Sequence, residues 1–260
     1  MSMSTIFAVG DNTIDTYTGH QAGSYVGGNA LNVAVQLSRL GDTAAYFGAV
    51  AADDAGRRIS MALELEGVDI TGLQELEGRT AGTLIGVAES GERTLLDEQY
   101  GVSAIYYPSK IDVERFHNAD AVHIGMITDP ERLRNELRGS AALLSQDCAV
   151  SKGFSGLDVA FGSAGPDLGA ARQMAQTALA GGARLAVVTC GAAGSVAFDG
   201  TDWFEIAAIA TKIIDTTGAG DSYIAGFLSA RAKGAGVRES MITGTESAAR
   251  TCGHVGAWPQ

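Results

Sequence analysis

The sequence predicts an α/β fold: a mostly parallel central sheet with helices on both faces, in three layers, plus a small β-sheet lid. Three observations predict it. Short apolar strands alternate with helical periodicities along the chain. Glycines close helical patterns, as at Gly41 and Gly67. Two β-prone segments, approximately 12–26 and 79–97, break the alternation without an intervening helix.

Each element follows from local pattern. Thr5–Val9 is a short apolar strand ending at Gly10. Asn29–Leu40 places Ala30, Val33, Ala34 and Leu37 at helical spacing. Ala44–Val50 reads as the next strand and Ala55–Glu66 as the next helix. In the second β-prone segment, Glu89-Ser90-Gly91-Glu92 separates strands Thr83–Ala88 and Arg93–Leu96, a hairpin signature. Further on, Ala121–Ile124, Ala141–Leu144, Leu157–Phe161 and Leu185–Thr189 read as buried strands. Helical patterns cover Ser109–Phe116, Pro130–Arg138 and Asp167–Ala180, and two more helices span Gly220–Lys233 and Val237–Cys252.

Composition sets the bounds. The 260 residues suit one large domain, read as 1–260, because no linker, repeat or low-complexity tract divides them. With 46% hydrophobic and 18% charged residues, disorder is excluded. Against 18 Lys+Arg stand 30 Asp+Glu, a net charge of −12, so most of the surface repels a nucleic acid. No apolar stretch approaches the ~18 residues of a membrane span. Cys148, Cys190 and Cys252 are odd in number and form no CxxC, which favours reduced thiols and a cytoplasmic setting. The start shows no basic, apolar leader.

Three motifs carry chemistry. The first is Asp215-Thr216-Thr217-Gly218-Ala219-Gly220-Asp221-Ser222, ahead of a helical pattern. First-turn N–H groups lack intrahelical partners and the dipole is positive there, so a phosphate fits. Asp221 falls just inside that start, where the same amides are expected to hold it ionised as a base. An ordinary glycine turn accounts for these residues equally well. The second is Gly27-Gly28-Asn29-Ala30-Leu31-Asn32, whose two Asn residues share a helix face and suit a polyol. A turn with an Asn cap is the alternative. The third pairs Asp11 with Asp15, four apart in an extended chain and so on one side. Two such carboxylates could accept sugar hydroxyls, or simply lie in a solvated loop. No GxxxxGK[ST], no GxGxxG after the first strand, no GxSxG and no HExxH occurs. His123, inside an apolar strand, reads as a core histidine.

In combination and in this order, the second and first motifs resemble those of the PfkB family of carbohydrate kinases, which have the ribokinase-like fold. The resemblance extends over nearly the whole chain and includes Leu40-Gly41 and Asp53-Asp54-Ala55-Gly56. It implies an ATP-dependent kinase with Asp221 as base and Gly218, Ala219 and Gly220 as the anion hole. It implies Asp11, Asp15, Gly27, Gly28 and Asn32 at the sugar, and Thr189, Gly191 and Gly194 at the nucleotide. Many members carry Asn-x-x-Glu for Mg²⁺; here Ser163-Ala164-Gly165-Pro166-Asp167 stands there, leaving Asp167 in place of the Glu. The resemblance further implies a monovalent cation near Asp215, and a homodimer through an apolar lid face around Leu84, Ile85 and Val87. Gly10-Asp11-Asn12, Arg93 and Gly256-Ala257-Trp258 resemble members acting on sugar–amino acid conjugates. Arg93 could then grip a carboxylate. The remaining alternatives are a ribokinase, fructokinase or nucleoside kinase, or a regulator that binds sugar or nucleotide without chemistry.

Overall fold

The computed structural model describes residues 3–19, 22–88 and 93–260. In chain order, β1 (Thr5–Val9) leads through β2 (Thr13–Gly19) and β3 (Gly23–Gly27) into α1 (Asn29–Arg39). Next come β4 (Thr43–Val50), α2 (Asp54–Leu65), β5 (Asp69–Glu75), β6 (Gly82–Val87) and β7 (Arg93–Gln99). The middle of the chain holds α3 (Lys110–Phe116), β8 (Ala121–Ile124), α4 (Pro130–Glu136), β9 (Leu143–Asp147) and β10 (Val159–Ser163). The last part adds α5 (Leu168–Ala180), β11 (Leu185–Thr189), β12 (Ser195–Phe198), β13 (Trp203–Ile206), α6 (Ala219–Ala232) and α7 (Val237–Thr251).

Nine strands form one sheet in the order β13-β12-β11-β10-β9-β8-β1-β4-β5. Its pairs from β11 to β5 are parallel; β12 and β13 add antiparallel at one edge. The α/β expectation with a mostly parallel sheet is borne out. Alternation sorts the core into two layers. Ile6 and Ala8 face α1, α2, α6 and α7, packing with Leu31, Ile59, Phe227 and Met241. Phe7 and Val9 face α3, α4 and α5, packing with Phe116, Leu133 and Ala175. In that second layer Phe47 meets Phe116 edge-on at 4.7 Å and Phe7 at 5.1 Å. His123 is fully buried on β8, contacts Ser145 Oγ at 3.0 Å through Nδ1, and is pushed down to about 3 by burial, so it stays neutral in the core.

The β-prone segments form a separate four-stranded sheet, β3-β2-β6-β7, in which β2 and β6 run parallel and the other pairs antiparallel. The turn at 89–92 lies outside the described residues. Leu84 and Ile85 are consecutive on a strand and so project to opposite faces, and Val87 is buried. They cannot make the single apolar face expected of them; Leu95 and Leu96 are the exposed apolar residues of this sheet.

Some boundaries moved. Residues 141–144 and 157–161 were expected as strands, whereas β9 and β10 lie about two residues further on. The edge strand β5 and the hairpin β12–β13 have no counterpart in the apolar-run reading, because four of the seven residues of β5 are polar and β12 and β13 are only four residues long each. The crossover from β9 to β10 contains no helix. Buried Arg134 organises it instead, donating to Ser155 O at 3.0 Å and Lys152 O at 3.1 Å, and Gln146 donates to Ser151 O at 2.9 Å.

The aromatic contact of Phe116 should dominate its layer. Phe116→Ala is expected to lower stability by about 3–5 kcal/mol, read from urea unfolding; a loss under about 1 kcal/mol contradicts the packing described.

Candidate functional site

The site forms where α1 and α6 begin, next to the ends of β1 and β9. Gly28 precedes α1 with φ of 113°, and a Cβ there would lie 2.4 Å from Asn12 Cα, so only glycine fits. No side chain of the preceding residue caps α1. Asp11, from the loop after β1, does so: Oδ2 accepts from Asn29 N at 2.7 Å, and Oδ1 accepts from Ala30 N at 3.3 Å and Met126 N at 3.1 Å. Asp11 therefore anchors the helix that presents the carboxamides.

Those carboxamides converge on Asp221. Asn29 Nδ2 donates to Asp221 Oδ1 at 2.7 Å, and Asn32 Nδ2 donates to Asp221 Oδ2 at 2.6 Å. Asn29 Nδ2 also donates to Asp147 Oδ2 at 2.8 Å. Asn32 Oδ1 and Asn29 Oδ1 are buried without a partner. The two motifs, nearly two hundred residues apart, are thus one site.

The electrostatics differ from expectation in one respect. Among the described residues, no backbone amide bonds to the Asp221 carboxylate; its partners are the two side-chain amides. Burial pushes its pKa well above the usual carboxylate range, the charges of Asp147 and Asp11 add to this, and the bonds from Asn32 and Asn29 oppose it. Asp11 and Asp147 are raised as well, both chiefly by burial. Asp15, on β2, is pushed up to about 6, first by burial, with the charges of Asp11 and Glu98 adding. Its Oδ2 lies 2.6 Å from where a Cβ on Gly27 would stand, which accounts for glycine there.

The start of α6 is open. Gly218 takes the left-handed conformation at φ 71°, and nothing lies within 4 Å of a Cβ built on Gly220. Ala219 N donates back to Thr216 O at 3.2 Å. Behind this loop, a Cβ on Gly218 would stand 2.4 Å from Ala257 Cβ, so the tail packs directly against the turn. Asp215 ties the two together, accepting from Thr217 N at 2.7 Å and Gly256 N at 2.9 Å. Tyr17 of the small sheet reaches Thr217 Oγ1 at 3.4 Å.

The remaining expected residues sit on neighbouring strand ends. Thr189 closes β11 beside Ser163 of β10. After it, Gly191 is exposed, and Gly194 must be glycine, since a Cβ would lie 2.1 Å from Ile206 O. Asp167 is exposed at the start of α5, where Oδ1 accepts from Gly169 N at 2.8 Å and Ala170 N at 3.0 Å. None of these four touches Asp221 among the bonds described. The Arg93 backbone starts β7 opposite Val87; its side chain lies outside the described residues. Asp147 was missed by sequence reasoning, because it is the last residue of β9 and meets Asn29 across 118 residues of sequence, a separation that no local spacing marks. Asn29 was noticed only as a neighbour of Asn32. Among the described residues, no group of three or more His, Cys, Asp or Glu is arranged to hold a metal.

Comparison with known proteins agrees with this geometry. The profile of the pfkB family carbohydrate kinases matches residues 3–158 and 153–259. The chain is 34% identical to the fructoselysine 6-kinase of Shigella flexneri over 98% of this chain and 100% of that one. It is 30% identical to a fructosamine kinase of Bacillus subtilis over 97% of this chain and 92% of that one. In fold it is similar to a ribokinase from Thermotoga maritima, with TM-score 0.85 at 19% identity, covering 98% of this chain and 95% of that one. It is likewise similar to an Arabidopsis thaliana ribokinase solved with ribose and ATP, with TM-score 0.89 at 18% identity, covering 100% and 96%. With a family profile that spans nearly its whole length and relatives of 30% and 34% identity over almost all of both chains, the chain belongs to the pfkB family of ATP-dependent carbohydrate kinases.

Proposed function

We propose that this kinase phosphorylates a primary hydroxyl of a ketose–amine conjugate of the fructoselysine type, with Asp221 as the base. The observation that carries the reading is the pair of hydrogen bonds from Asn29 and Asn32 to Asp221, which sets a hydroxyl-binding motif beside an open helix start. The names of the full-length relatives support the acceptor class. Asp15, Gly27, Gly28 and Asn32 would hold the sugar, with Asp11 fixing the helix they stand on.

The chemistry follows from the arrangement. Asp221 takes the proton of the acceptor hydroxyl as that oxygen bonds to the γ-phosphorus of ATP, and the bond from the γ-phosphorus to ADP breaks. Charge on the transferring group is met by α6 first-turn amides around Gly218, Ala219 and Gly220, an arrangement that suits a reaction governed by positioning and electrostatics. A raised proton affinity makes Asp221 a stronger base than an exposed carboxylate. Thr189, Gly191 and Gly194 would line the nucleotide. Mg²⁺ would travel with the ATP phosphates and offset their charge; Asp167, exposed and with Oδ2 unused by the cap, would be the carboxylate to meet it. Asp215 would stand near a monovalent cation. The small sheet would act as a lid, with Tyr17 on Thr217 as its contact to the phosphate loop. Homodimerisation through that sheet would cover Leu95 and Leu96, 58% and 55% exposed, and the unpaired cysteines suit a cytoplasmic enzyme.

Three outcomes test the reading. Asp221→Asn should cut kcat by at least ~10³-fold while leaving acceptor binding by calorimetry within a few fold; near-wild-type turnover removes the base. Gly220→Ala has room for its methyl, so it should melt like wild type yet lose about 10–100-fold in kcat as the methyl enters the cradle; unchanged kcat places the phosphoryl elsewhere. Asp221 must be ionised to take the acceptor's proton and Asp15 to accept hydrogen bonds through both oxygens, and both have raised pKa values. The kcat/KM profile should therefore already be falling on acidification by about pH 6, where Asp15 takes up its proton, well above the ~4 of a free carboxylate. A profile flat to about pH 5 contradicts it.

A further inference from the structure

The small sheet carries a set of charges that phosphoryl transfer does not use. In-register partners on adjacent strands project to the same face. Asp15 on β2 pairs with Tyr25 on β3 and with Thr83 on β6, and Thr83 pairs with Glu98 on β7. The row Tyr25, Asp15, Thr83, Glu98 thus crosses all four strands on one face. That face looks into the acceptor pocket: Asp15 abuts Gly27, and Tyr17, two residues along β2, reaches Thr217. The charge of Glu98 is near enough to Asp15 to disfavour its ionisation. Glu98 is exposed, and its Oε2 accepts from the Tyr100 hydroxyl at 2.6 Å, which fixes the side chain and leaves Oε1 open. Among the described residues, no Lys or Arg forms an ion pair with Asp11, Asp15, Glu98, Asp147 or Asp221.

A separate observation, at Asn32, points to a hydrogen-bond donor from outside the protein. Asn32 is 5% exposed, its Nδ2 is taken by Asp221, and its Oδ1 has no partner. A buried carbonyl oxygen without a donor is unfavourable, and a ligand hydroxyl would supply that donor. The pocket therefore holds polyol-binding groups beside a wall of uncompensated negative charge.

We propose that Glu98 and Asp15 form a subsite for the protonated amine of a ketose–amine conjugate, and that this subsite selects a cationic acceptor over a neutral ketose. The inference rests on the kinase reading and extends it to the end of the acceptor remote from the reaction. An ammonium nitrogen brings both charge and donors to two carboxylates that otherwise repel each other. The reacting hydroxyl belongs at Asp221 beneath, and the nitrogen at the sheet above.

The test compares 1-deoxy-1-butylaminofructose, a cation with no carboxylate, with fructose, which is neutral, by acceptor-dependent ADP release. Wild type should prefer the amine, and Glu98→Gln should lower the ratio of the two kcat/KM values about tenfold, mainly through the KM of the amine. Glu98→Asp should restore most of the preference. Raising salt from about 50 to about 500 mM should erode the preference of wild type and leave that of Glu98→Gln little changed. A ratio unchanged in Glu98→Gln, or a wild type that uses fructose as well as the amine, overturns the subsite and leaves the kinase reading standing. Should neither acceptor release ADP, the proposed acceptor class fails. Calorimetry of the amine without nucleotide then decides the subsite alone: binding about tenfold weaker to Glu98→Gln supports it, and equal binding overturns it.

Discussion

The hydrogen bonds that Asn29 and Asn32 give to Asp221 are the constraint on which the site depends. They join the start of α1 to the start of α6, two helices that the chain makes far apart in sequence. A carboxylate set among Asp11 and Asp147 would gain a proton readily if burial acted alone. Two amide donors offset that tendency in part and orient both oxygens. The result is a base with raised proton affinity, held in one geometry, with the amide carbonyls facing away from it and free of protein partners.

The rest of the fold serves this junction. Parallel strands place their carboxyl ends on one edge, the usual position for a ligand in an α/β sheet. The loop after β1 sends Asp11 to cap α1, so the helix carrying both carboxamides is fixed by the chain just beyond that strand. The tail does the same for α6. Gln36 Nε2 donates to Ala257 O at 2.7 Å, and Ala257 lies against Gly218. Gln260 exchanges two hydrogen bonds with the backbone of Val26, at 2.8 and 2.7 Å, directly before the paired glycines. One short segment thus braces the phosphate loop and the sugar loop together.

Much of this was legible in the sequence, for identifiable reasons. α1 and α6 announce themselves because glycine precedes each and apolar spacing follows. The two β-prone segments stood out because no helix divides them, and they pair as a second sheet. What escaped was set by distant contacts. Asp147 meets Asn29 because it ends β9 at the sheet edge where α1 begins, and neither residue type nor spacing signals that. Asp11 reads as a sugar ligand in sequence, yet its carboxylate accepts three backbone N–H groups. Asp221 reads as ionised by helix amides, yet side-chain amides bind it and burial governs its proton affinity. β5 escaped because its residues are mostly polar, and β13 because a four-residue run is too short to show a period.

The central claim is that one pocket holds the acceptor hydroxyl between Asp221 and the start of α6. A crystal structure with a ketose–amine conjugate and a non-hydrolysable ATP analogue tests it most directly. The account predicts the reacting oxygen about 2.6–3.2 Å from an Asp221 carboxylate oxygen, with the terminal phosphate over Gly218 and Gly220. An acceptor bound with no hydroxyl in reach of Asp221, or a terminal phosphate lodged away from that helix start, contradicts it.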